Sequence, residues 1–564
     1  MKKYLALLLA LAMMLSMMVG CTGSQDDTKP SADTTKPSSG TADTQPSEDT
    51  TPAEPQKLTI GIKKQATVED YDTQWLTKYA EEKLNIDIEF VYFSSTTSEA
   101  KTQFGLMVAG NEKLPDIMWG TGFGAATINE YGMDGYILPL DDYLNEEKAP
   151  NLFEALTWAG EGVAENLMMF GVCPSDGKTY AFPTLNESTY NGCHYHTFIN
   201  QKWLDQLNLK APTTVEELYD VLKAFKATDF NGNGQADEIP AIGSTSYRAS
   251  LPLFILNAFV YCTDDYFWNV TDGKLWSPWE TDEYRQGLIY LNKLVSEGLL
   301  DPDTFTITKA GEIIPYSTPS DSPTFCGVIG SHMEISFEPG NERTYEYVPL
   351  TPLKGATDKG GYAVIYGHTY SYHTFITTDC ENPDLAFKFL DFMASREMTI
   401  AQEHGIPGED WVWDNTGTSA VGNPSTFKQL TPNPWQTQNN KLWNILGPST
   451  YVDLGCSKAW EDDGSWDANR YKQMRTLYQA YMEAPKPAET VTKLLYTEEE
   501  QEVVTEYSST IKSYVKNARA MFATGALDPN DDGDWQEYLN ALKAQGIDAY
   551  MAAAQSAYTR MNGK

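Results

Sequence analysis

Residues 229–238, which read DFNGNGQADE, form the segment of this chain best suited to bind a metal ion. Asp229, Asn231 and Asn233 place side-chain oxygens at positions 1, 3 and 5 of the segment. A glycine at position 6 permits a sharp turn, and the backbone carbonyl of Gln235 is available at position 7. Calcium requires hard oxygen ligands that converge from a tight turn, so the pattern predicts a calcium loop.

The end of this loop departs from the usual twelve-residue arrangement. Pro240 stands at position 12, where a glutamate normally binds the ion, and Asp237 and Glu238 supply carboxylates instead. A plain Asn-Gly turn before a strand at Ile239 is the alternative interpretation. We expect calcium in a structural role, because protein groups fill the candidate positions and no general base lies nearby in the sequence.

A second acidic segment, residues 528–534, imitates the calcium pattern with the sequence DPNDDGD. It leads directly into a helix predicted to begin near Trp535. Acidic side chains stabilise a helix N-terminus, because they accept bonds from free backbone N–H groups and complement the helix dipole. We therefore interpret this segment as a helix cap and not as a metal site.

No part of the sequence has the spacing of a known catalytic site. It contains no HExxH, GxSxG, phosphate-binding P-loop or Cys–His signature. A strand would turn His194 and His196 to one side, where they could bind a metal, but we favour packing or ligand contact for both. The 78 acidic residues offer many chance carboxylate pairs for glycoside chemistry, and none stands out. We predict no catalytic residues.

The N-terminus has the layout of a secretion signal. Two lysines follow Met1, residues 4–19 carry no charge, and Gly20 precedes Cys21. Residues 18–21, MVGC, resemble the bacterial lipobox, which implies that Cys21 is diacylated and becomes the mature N-terminus. An ordinary cleaved signal is the alternative. After the 1–21 signal peptide, residues 22–56 lack aromatic and large aliphatic side chains, so we predict a disordered linker.

The remaining body is long and acidic. Residues 57–564 exceed the roughly 250–300 residues that one hydrophobic core usually holds, which predicts two lobes. A net charge of −37 argues against nucleic acid as a partner, because the phosphates would be repelled. The six cysteines after Cys21 form no CxxC pair, and we expect most of them to be buried thiols.

The start of the body alternates strand and helix patterns. Residues 58–62 and 86–92 have strand character, whereas 75–84 and 100–109 have helical periodicity. A buried strand at 114–119 completes a strand–helix–strand–helix–strand series. This order predicts a parallel sheet of the α/β class.

An ordered series of motifs resembles the family 1 extracellular solute-binding proteins of bacteria. The series is MVAG at 107–110, LPDI at 114–117, DGKTYAFP at 176–183, GLLDP at 298–302 and NPDLAFKFLD at 382–391. The resemblance implies a two-lobed α/β fold of the periplasmic-binding-protein-like type II, with a ligand cleft between the lobes. Lobe 1 would comprise about 57–185 with 360–405 returning, and lobe 2 about 190–355 with the helical C-terminal part, 406–564.

The resemblance also implies site residues. The metal loop is similar to the calcium loop of alginate-binding members, and by that match its ligands are Asp229, Asn231, Asn233, the carbonyl of Gln235, Asp237 and Glu238. Aromatic rings suit the C–H faces of sugars, so we expect ligand contacts from residues in loops after strands and in segments that cross between the lobes. These candidates are Trp119, Tyr190, Tyr195, His196, Tyr247, Arg248, His332, Glu334, His368, Tyr370, Trp411 and Trp413.

The sequence as a whole predicts a lipid-anchored receptor on the outer face of a cell membrane, and the resemblance implies a membrane of the Gram-positive type. It would capture a carbohydrate, in particular an oligosaccharide, and deliver it to an ABC importer. The permease and ATPase subunits would be separate partners, because the chain has no ATPase motif. A surface enzyme acting on polysaccharide is one alternative, and a receptor for a peptide or polyol is another.

The lipid anchor is tested by Cys21→Ser. Two acyl chains give a stable membrane attachment that a single chain does not, so the variant should be released into the medium or remain as an unprocessed precursor. Membrane fractionation and the mass of the mature N-terminus measure this. A variant that is processed and membrane-bound like the wild type contradicts the anchor.

Overall fold

The computed structural model describes residues 54–157, 162–187, 192–235, 237–246, 249–318, 325–330, 337, 341–366, 369–419, 422–432, 434–452, 455–459 and 464–563. Residues 54–564 form one structural unit. The secretion signal, Cys21 and the linker up to residue 53 lie outside the described residues. Within the described part of the chain, no helix is both long and apolar enough to cross a membrane.

The strands and helices alternate through the first half of the chain, and helices dominate its end. The strands are β1 Gln56–Lys63, β2 Ile86–Phe93, β3 Ile117–Trp119, β4 Phe182–Glu187, β5 Thr197–Asn200, β6 Ile239–Ile242, β7 Asn269–Thr271, β8 Lys274–Trp276, β9 Cys326–Gly330, β10 Tyr347–Pro349, β11 Thr369–Ile376, β12 Trp411–Trp413, β13 Phe427–Gln429, β14 Thr450–Val452 and β15 Cys456–Lys458. The α-helices are Trp75–Leu84, Thr97–Ala109, Ala125–Met133, Pro150–Leu156, Val163–Gly171, Gln201–Leu207, Val215–Lys226, Leu251–Leu256, Asp282–Ser296, Ile314–Ser317, Pro383–Met393, Arg396–His404, Trp466–Glu483, Glu498–Thr524, Asp532–Ala544 and Ile547–Met561.

Lobe 1 is built on a six-stranded sheet with the order β14-β4-β11-β3-β1-β2. β1 lies parallel to both β2 and β3, with Ile60 opposite Phe90 and Ile117. Two helices connect these strands in the predicted strand–helix–strand order. Gly61 lies where β1 packs tightly, since a Cβ there would be 2.4 Å from the sulfur of Met118. The parallel α/β sheet predicted from the sequence is therefore confirmed.

Lobe 2 is built on a four-stranded sheet with the order β10-β5-β9-β6. Its core buries Trp203, Leu288 and Val515, the last from the long C-terminal helix Glu498–Thr524. The helix Val215–Lys226 begins after Thr214, whose hydroxyl accepts the backbone N–H of Glu217 at 3.1 Å. Two main sheets with separate cores confirm the two-lobed fold.

The boundary between the lobes differs from the expectation that all of 406–564 belongs to lobe 2. β14 pairs in parallel with β4 and so completes the sheet of lobe 1. Trp443 is buried in the core of lobe 1, edge-on to Trp119 with 4.8 Å between ring centroids. A large aromatic ring stabilises a protein most when it is fully buried. No motif in the sequence shows which of the two cores buries Trp443.

Two segments that cross between the lobes are paired with each other. Cys193 forms an antiparallel bridge with Ile365. On either side of the bridge, the N–H of His194 donates to Val364 at 3.0 Å and that of Tyr366 donates to Gly192 at 2.8 Å. Backbone hydrogen bonds therefore keep the two crossings together.

A buried ion pair attaches the C-terminal helices to lobe 2. Arg519 Nη2 lies 2.8 Å from Asp264 Oδ1, and the two side chains are only 2% and 15% exposed. Arg519 Nε also donates to the hydroxyl of Tyr284 at 3.3 Å. Burial opposes ionisation of Asp264, but the guanidinium outweighs it and holds the pKa of this carboxyl below its ordinary value.

Replacement of Arg519 should strongly destabilise the protein. In Arg519→Met the carboxylate of Asp264 stays buried without its counter-charge, so the free energy of unfolding should fall by about 3–5 kcal/mol. Lys113→Ala, which breaks the exposed pair with Glu381, is the matched control and should change the free energy of unfolding far less, because solvent screens that pair. Chemical denaturation of the three proteins measures this, and equal losses in the two variants contradict a stabilising buried pair.

Candidate functional site

Two cavities lie between the lobes and share part of their wall. The larger has a volume of about 720 Å³ and the smaller about 550 Å³. Lobe 1 contributes Phe170 to both cavities, and the segment 484–497, which we name the strap, contributes Lys493 to both. Cavities of this size between two lobes are typical sites for small ligands.

The strap is attached to lobe 2. Trp268 Nε1 donates to the carbonyl of Val491 at 2.9 Å, and Arg560 Nη2 donates to that of Leu495 at 2.5 Å. Leu494 is buried in the core of lobe 2, and the hydroxyl of Tyr558 donates to Glu489. The strap therefore presents Lys493 to lobe 1 from a position that lobe 2 determines.

The two cavities differ in their polar groups. The smaller one is lined by four aromatic rings and by amide, hydroxyl and ammonium groups; these residues are Phe170, Tyr261, Tyr370, Tyr558, Asn166, Asn562, Thr490, Thr492, Lys486 and Lys493. The larger one carries four carboxylates, which belong to Glu130, Glu498, Glu502 and Glu506. Flat rings next to hydrogen-bonding groups are suited to a ligand that has both apolar faces and hydroxyls.

Lys493 is the charged group at the shared wall. Its ammonium lies 5.1 Å from the ring centroid of Phe170 and 5.0 Å from that of Tyr372, both in lobe 1. The rings attract the cation through their negative faces. Burial lowers the pKa of Lys493 to about 8, because the charged form loses water there.

Only part of the predicted ligand set can be located. Tyr370 lines the smaller cavity, where its ring lies 5.6 Å from that of Phe170. Trp413 is 50% exposed on a small three-stranded sheet, with the guanidinium of Arg396 at 5.3 Å above its ring. The predicted residues Tyr190, Tyr247, Arg248, His332, Glu334 and His368 lie outside the described residues.

Trp119 and Trp411 have no accessible ring face, contrary to the expectation that they contact the ligand. Both are 0% exposed. Trp119 packs in the core of lobe 1, and its indole N–H donates to Ile445 at 3.3 Å. Trp411 packs against Phe427 in a small separate core, and its N–H donates to Gly405 at 3.0 Å. Each indole is satisfied within the protein, so these rings stabilise the fold.

The residues at the first crossing are also buried. The hydroxyl of Tyr195 donates to Thr263 at 3.0 Å, inside the core of lobe 2. His196 is 0% exposed and donates from Nε2 to the carbonyl of Cys193 at 2.8 Å. In this structure both side chains hold the crossing together and do not reach either cavity.

Sequence reasoning missed most of the cavity residues. Phe170, Tyr261, Tyr558 and Lys493 lie in four separate parts of the chain, and none belongs to a recognisable motif. The only local signal is that Lys486 and Lys493 fall in the loop between two long helices, where side chains are free to face another lobe.

The loop 229–238 is folded around the carboxylates of Asp229 and Asp237. Asp229 accepts backbone N–H groups from Gly232 at 2.6 Å and from Gly234 at 2.7 Å, so its carboxylate closes the turn. The side-chain amides of Asn231 and Asn233 both donate to Asp237, at 2.9 and 3.0 Å. The carbonyl group of Gln235 lies in the same turn, as the sequence pattern requires.

Glu238 tests whether this loop fits a cation. Its Oε1 accepts the N–H groups of Phe230 at 2.6 Å and Asn231 at 2.8 Å, whereas its Oε2 is buried without a hydrogen-bond partner. A buried carboxylate oxygen without a partner is costly, and a bound cation would relieve that cost. The described residues contain no cluster of three or more His, Cys, Asp or Glu side chains placed to bind a metal, so the two asparagines and the carbonyl would have to complete the set.

Two further predictions, on the second acidic segment and on the cysteines, are confirmed by the structure. Asp531 caps the helix Asp532–Ala544 and accepts the N–H of Asp534 at 3.0 Å, which confirms the second acidic segment as a helix cap. All six cysteines after the signal are free and buried, as expected. They are Cys173, Cys193, Cys262, Cys326, Cys380 and Cys456.

Comparison with known proteins places the chain among receptors. Residues 74–404 match the family model of the bacterial extracellular solute-binding protein. The chain is 24% identical over 504 residues, 87% of each protein, to the fructooligosaccharide ABC transporter substrate-binding protein FusA of Streptococcus pneumoniae serotype 4.

Solved structures agree with this match at the level of the fold. The complex of Streptococcus pneumoniae FusA with kestose has a TM-score of 0.65 and 22% identity, covering 90% of this chain and 100% of that one. A solute-binding protein from Bifidobacterium longum infantis described as binding human milk oligosaccharides (HMO) has the same TM-score and identity, with 90% and 99% covered. The alginate-binding protein AlgQ2 without calcium ion has a TM-score of 0.55 and 20% identity, with 90% and 98% covered.

Proposed function

Because the chain belongs to the bacterial extracellular solute-binding protein family, we propose that it captures an oligosaccharide between its lobes and delivers it to an ABC importer. The observation that carries this proposal is the aromatic and hydroxyl lining of the smaller cavity between the lobes. FusA, which is similar over most of its length, is a fructooligosaccharide receptor by name. A sugar ring would place its C–H faces against Tyr261 and Tyr370 and its hydroxyls near Thr490 and Asn166.

We propose that the protein is a receptor and not an enzyme. The polar groups of the smaller cavity include no carboxylate pair to protonate and attack a glycosidic bond, among the described residues that line it. Permease and ATPase subunits would be separate partners of the importer. Attachment to the outer face of the membrane through the lipid on Cys21 completes this proposal, as expected from the lipobox.

Oligosaccharide binding is measured by calorimetry of the purified protein with a panel of neutral and acidic glycans. Tyr370→Ala should weaken the binding of the best glycan by about 1–3 kcal/mol, because one aromatic contact is lost. Tyr345→Ala is the matched control, since this tyrosine is 42% exposed and lines neither cavity. Equal affinities of the two variants contradict the assignment of the cavity.

The same samples separate receptor from enzyme. After long incubation with a large amount of protein, the bound glycan should be recovered uncleaved, as judged by mass spectrometry. Cleavage products would establish the enzyme instead. If a peptide or polyol binds and no glycan does, the protein is still a receptor, but the proposal of a carbohydrate ligand is wrong.

We also propose that the loop 229–238 binds calcium in a structural role. The buried oxygen of Glu238 without a partner supports it, together with the tight turn that the carboxylate of Asp229 closes. Asp229, Asn231, Asn233, the carbonyl of Gln235, Asp237 and Glu238 would supply the ligands. Among the relatives, one FusA structure is described as an EF-hand mutant and one AlgQ2 structure as lacking calcium ion. A bound ion would supply positive charge to this loop, which would then hold the entry to β6 in place.

Chelation tests the calcium proposal. A ligand that binds only the folded state stabilises it by about 2.7 kcal/mol at a hundredfold excess over Kd, so EDTA should lower the melting temperature. Calcium should restore it better than magnesium, which loses its water reluctantly and prefers a smaller octahedral site. Asp229→Ala should abolish the difference between EDTA and calcium.

The matched control for this experiment is Asp531→Ala in the second acidic segment. It removes a helix cap worth about 1 kcal/mol, but the calcium response should remain. The calcium proposal fails if the wild type shows no EDTA response and elemental analysis finds no ion.

A further inference from the structure

The charge of the smaller cavity is opposite to that of the chain. The protein carries 78 acidic against 41 basic residues, which gives it a net charge of −37. Yet the described residues that line the smaller cavity include Lys486 and Lys493 and no aspartate or glutamate. A basic lining in so acidic a protein indicates that the cavity is selective for the charge of its ligand.

Lys493 has no counter-ion among the residues that the structure describes. No described aspartate or glutamate forms an ion pair with its ammonium, which lies over the rings of Phe170 and Tyr372. The strap carboxylate Glu489 is bonded to Tyr558 and does not line this cavity. Burial removes water from the ammonium and leaves it without a counter-ion, which disfavours its charged form. An anionic group of the ligand would stabilise that charge in place of the lost water.

The remaining lining groups define the rest of the ligand. The rings of Tyr261, Tyr370 and Tyr558 offer flat apolar faces, and Asn166 and Thr492 offer hydrogen bonds to hydroxyls. A volume of about 550 Å³ is within the range of ligand sites, about 300–1,000 Å³. A sugar that carries a carboxylate combines all three kinds of contact.

We propose that the ligand is an acidic oligosaccharide, rich in uronic acid, and that Lys493 binds its carboxylate in the smaller cavity, with Lys486 as a second cationic contact. This inference rests on the proposed function as an oligosaccharide receptor. The four carboxylates of the larger cavity would repel the acid group, so they favour its placement on the side of the smaller cavity. A neutral sugar would leave the ammonium of Lys493 without a charged partner, and the receptor discriminates against it for that reason.

The test uses calorimetry of the purified protein with trigalacturonic acid, with its fully methyl-esterified form, and with trimannuronic acid. Lys493→Met keeps the length of the side chain and removes its charge, whereas Lys493→Arg keeps the charge. Lys293→Met is the matched control, because Lys293 also lies over a tyrosine ring, 3.5 Å from Tyr219, but outside both cavities. Circular dichroism and thermal melting check that each variant is folded.

We expect a uronic acid trimer to bind, and its methyl ester to bind at least about 10-fold more weakly. Lys493→Met should lower the affinity for the acidic ligand by about 10- to 100-fold, which corresponds to the loss of one charge-assisted hydrogen bond. In Lys493→Met the preference for the acid form over its methyl ester should be largely lost, whereas Lys493→Arg and Lys293→Met should keep the preference of the wild type.

Two results would overturn this inference, and they differ in whether the proposed receptor function remains valid. Tight binding of neutral oligosaccharides, with no preference for the acid form and no effect of Lys493→Met, removes the acidic ligand but keeps the oligosaccharide receptor. If no neutral or acidic glycan binds, the proposed function as an oligosaccharide receptor is wrong as well.

Discussion

The buried ion pair between Arg519 and Asp264 is the interaction on which the arrangement of the lobes depends. Arg519 belongs to the long helix that follows the strap, and Asp264 belongs to a loop of lobe 2 next to both crossing segments. The pair therefore fixes two things at once: the helix that carries the strap and the loop that binds the crossings. A buried ion pair is stable only when both charged partners are present and further hydrogen bonds satisfy them. Here Arg519 also donates a hydrogen bond to the hydroxyl of Tyr284.

The loop of Asp264 binds the crossings through neighbouring side chains. The hydroxyl of Tyr195 donates to Thr263, and that of Tyr366 donates to Asp265 at 2.8 Å. Burial raises the pKa of both tyrosines well above the ordinary value, so they remain neutral donors at physiological pH. Movement of the lobes would thus occur about a hinge whose polar groups are already paired, while the cavities on either side of the strap change in shape.

The proposed metal loop lies in lobe 2 and is separate from the cavities between the lobes. Phe230, inside the loop, stacks on Trp203 with ring centroids 4.0 Å apart and planes 2° apart, which attaches the loop to the core beneath it. None of the described loop residues lines either cavity. An ion bound there would act on stability, whereas Lys493 and the rings around it would act on ligand choice.

The sequence by itself determined the features that depend on neighbours in the chain. The strand–helix–strand series of lobe 1, the cap at Asp531 and the turn of the metal loop all follow from local periodicity or short spacing. Only the tertiary structure decided which aromatic side chains meet the cavities. Trp119 is buried because Trp443, from a distant part of the sequence, packs on it. Lys493 reaches Phe170 of lobe 1 because the strap is fixed to lobe 2. The burial of a ring or of a charged group is set by such distant partners, and no local pattern carries information about it.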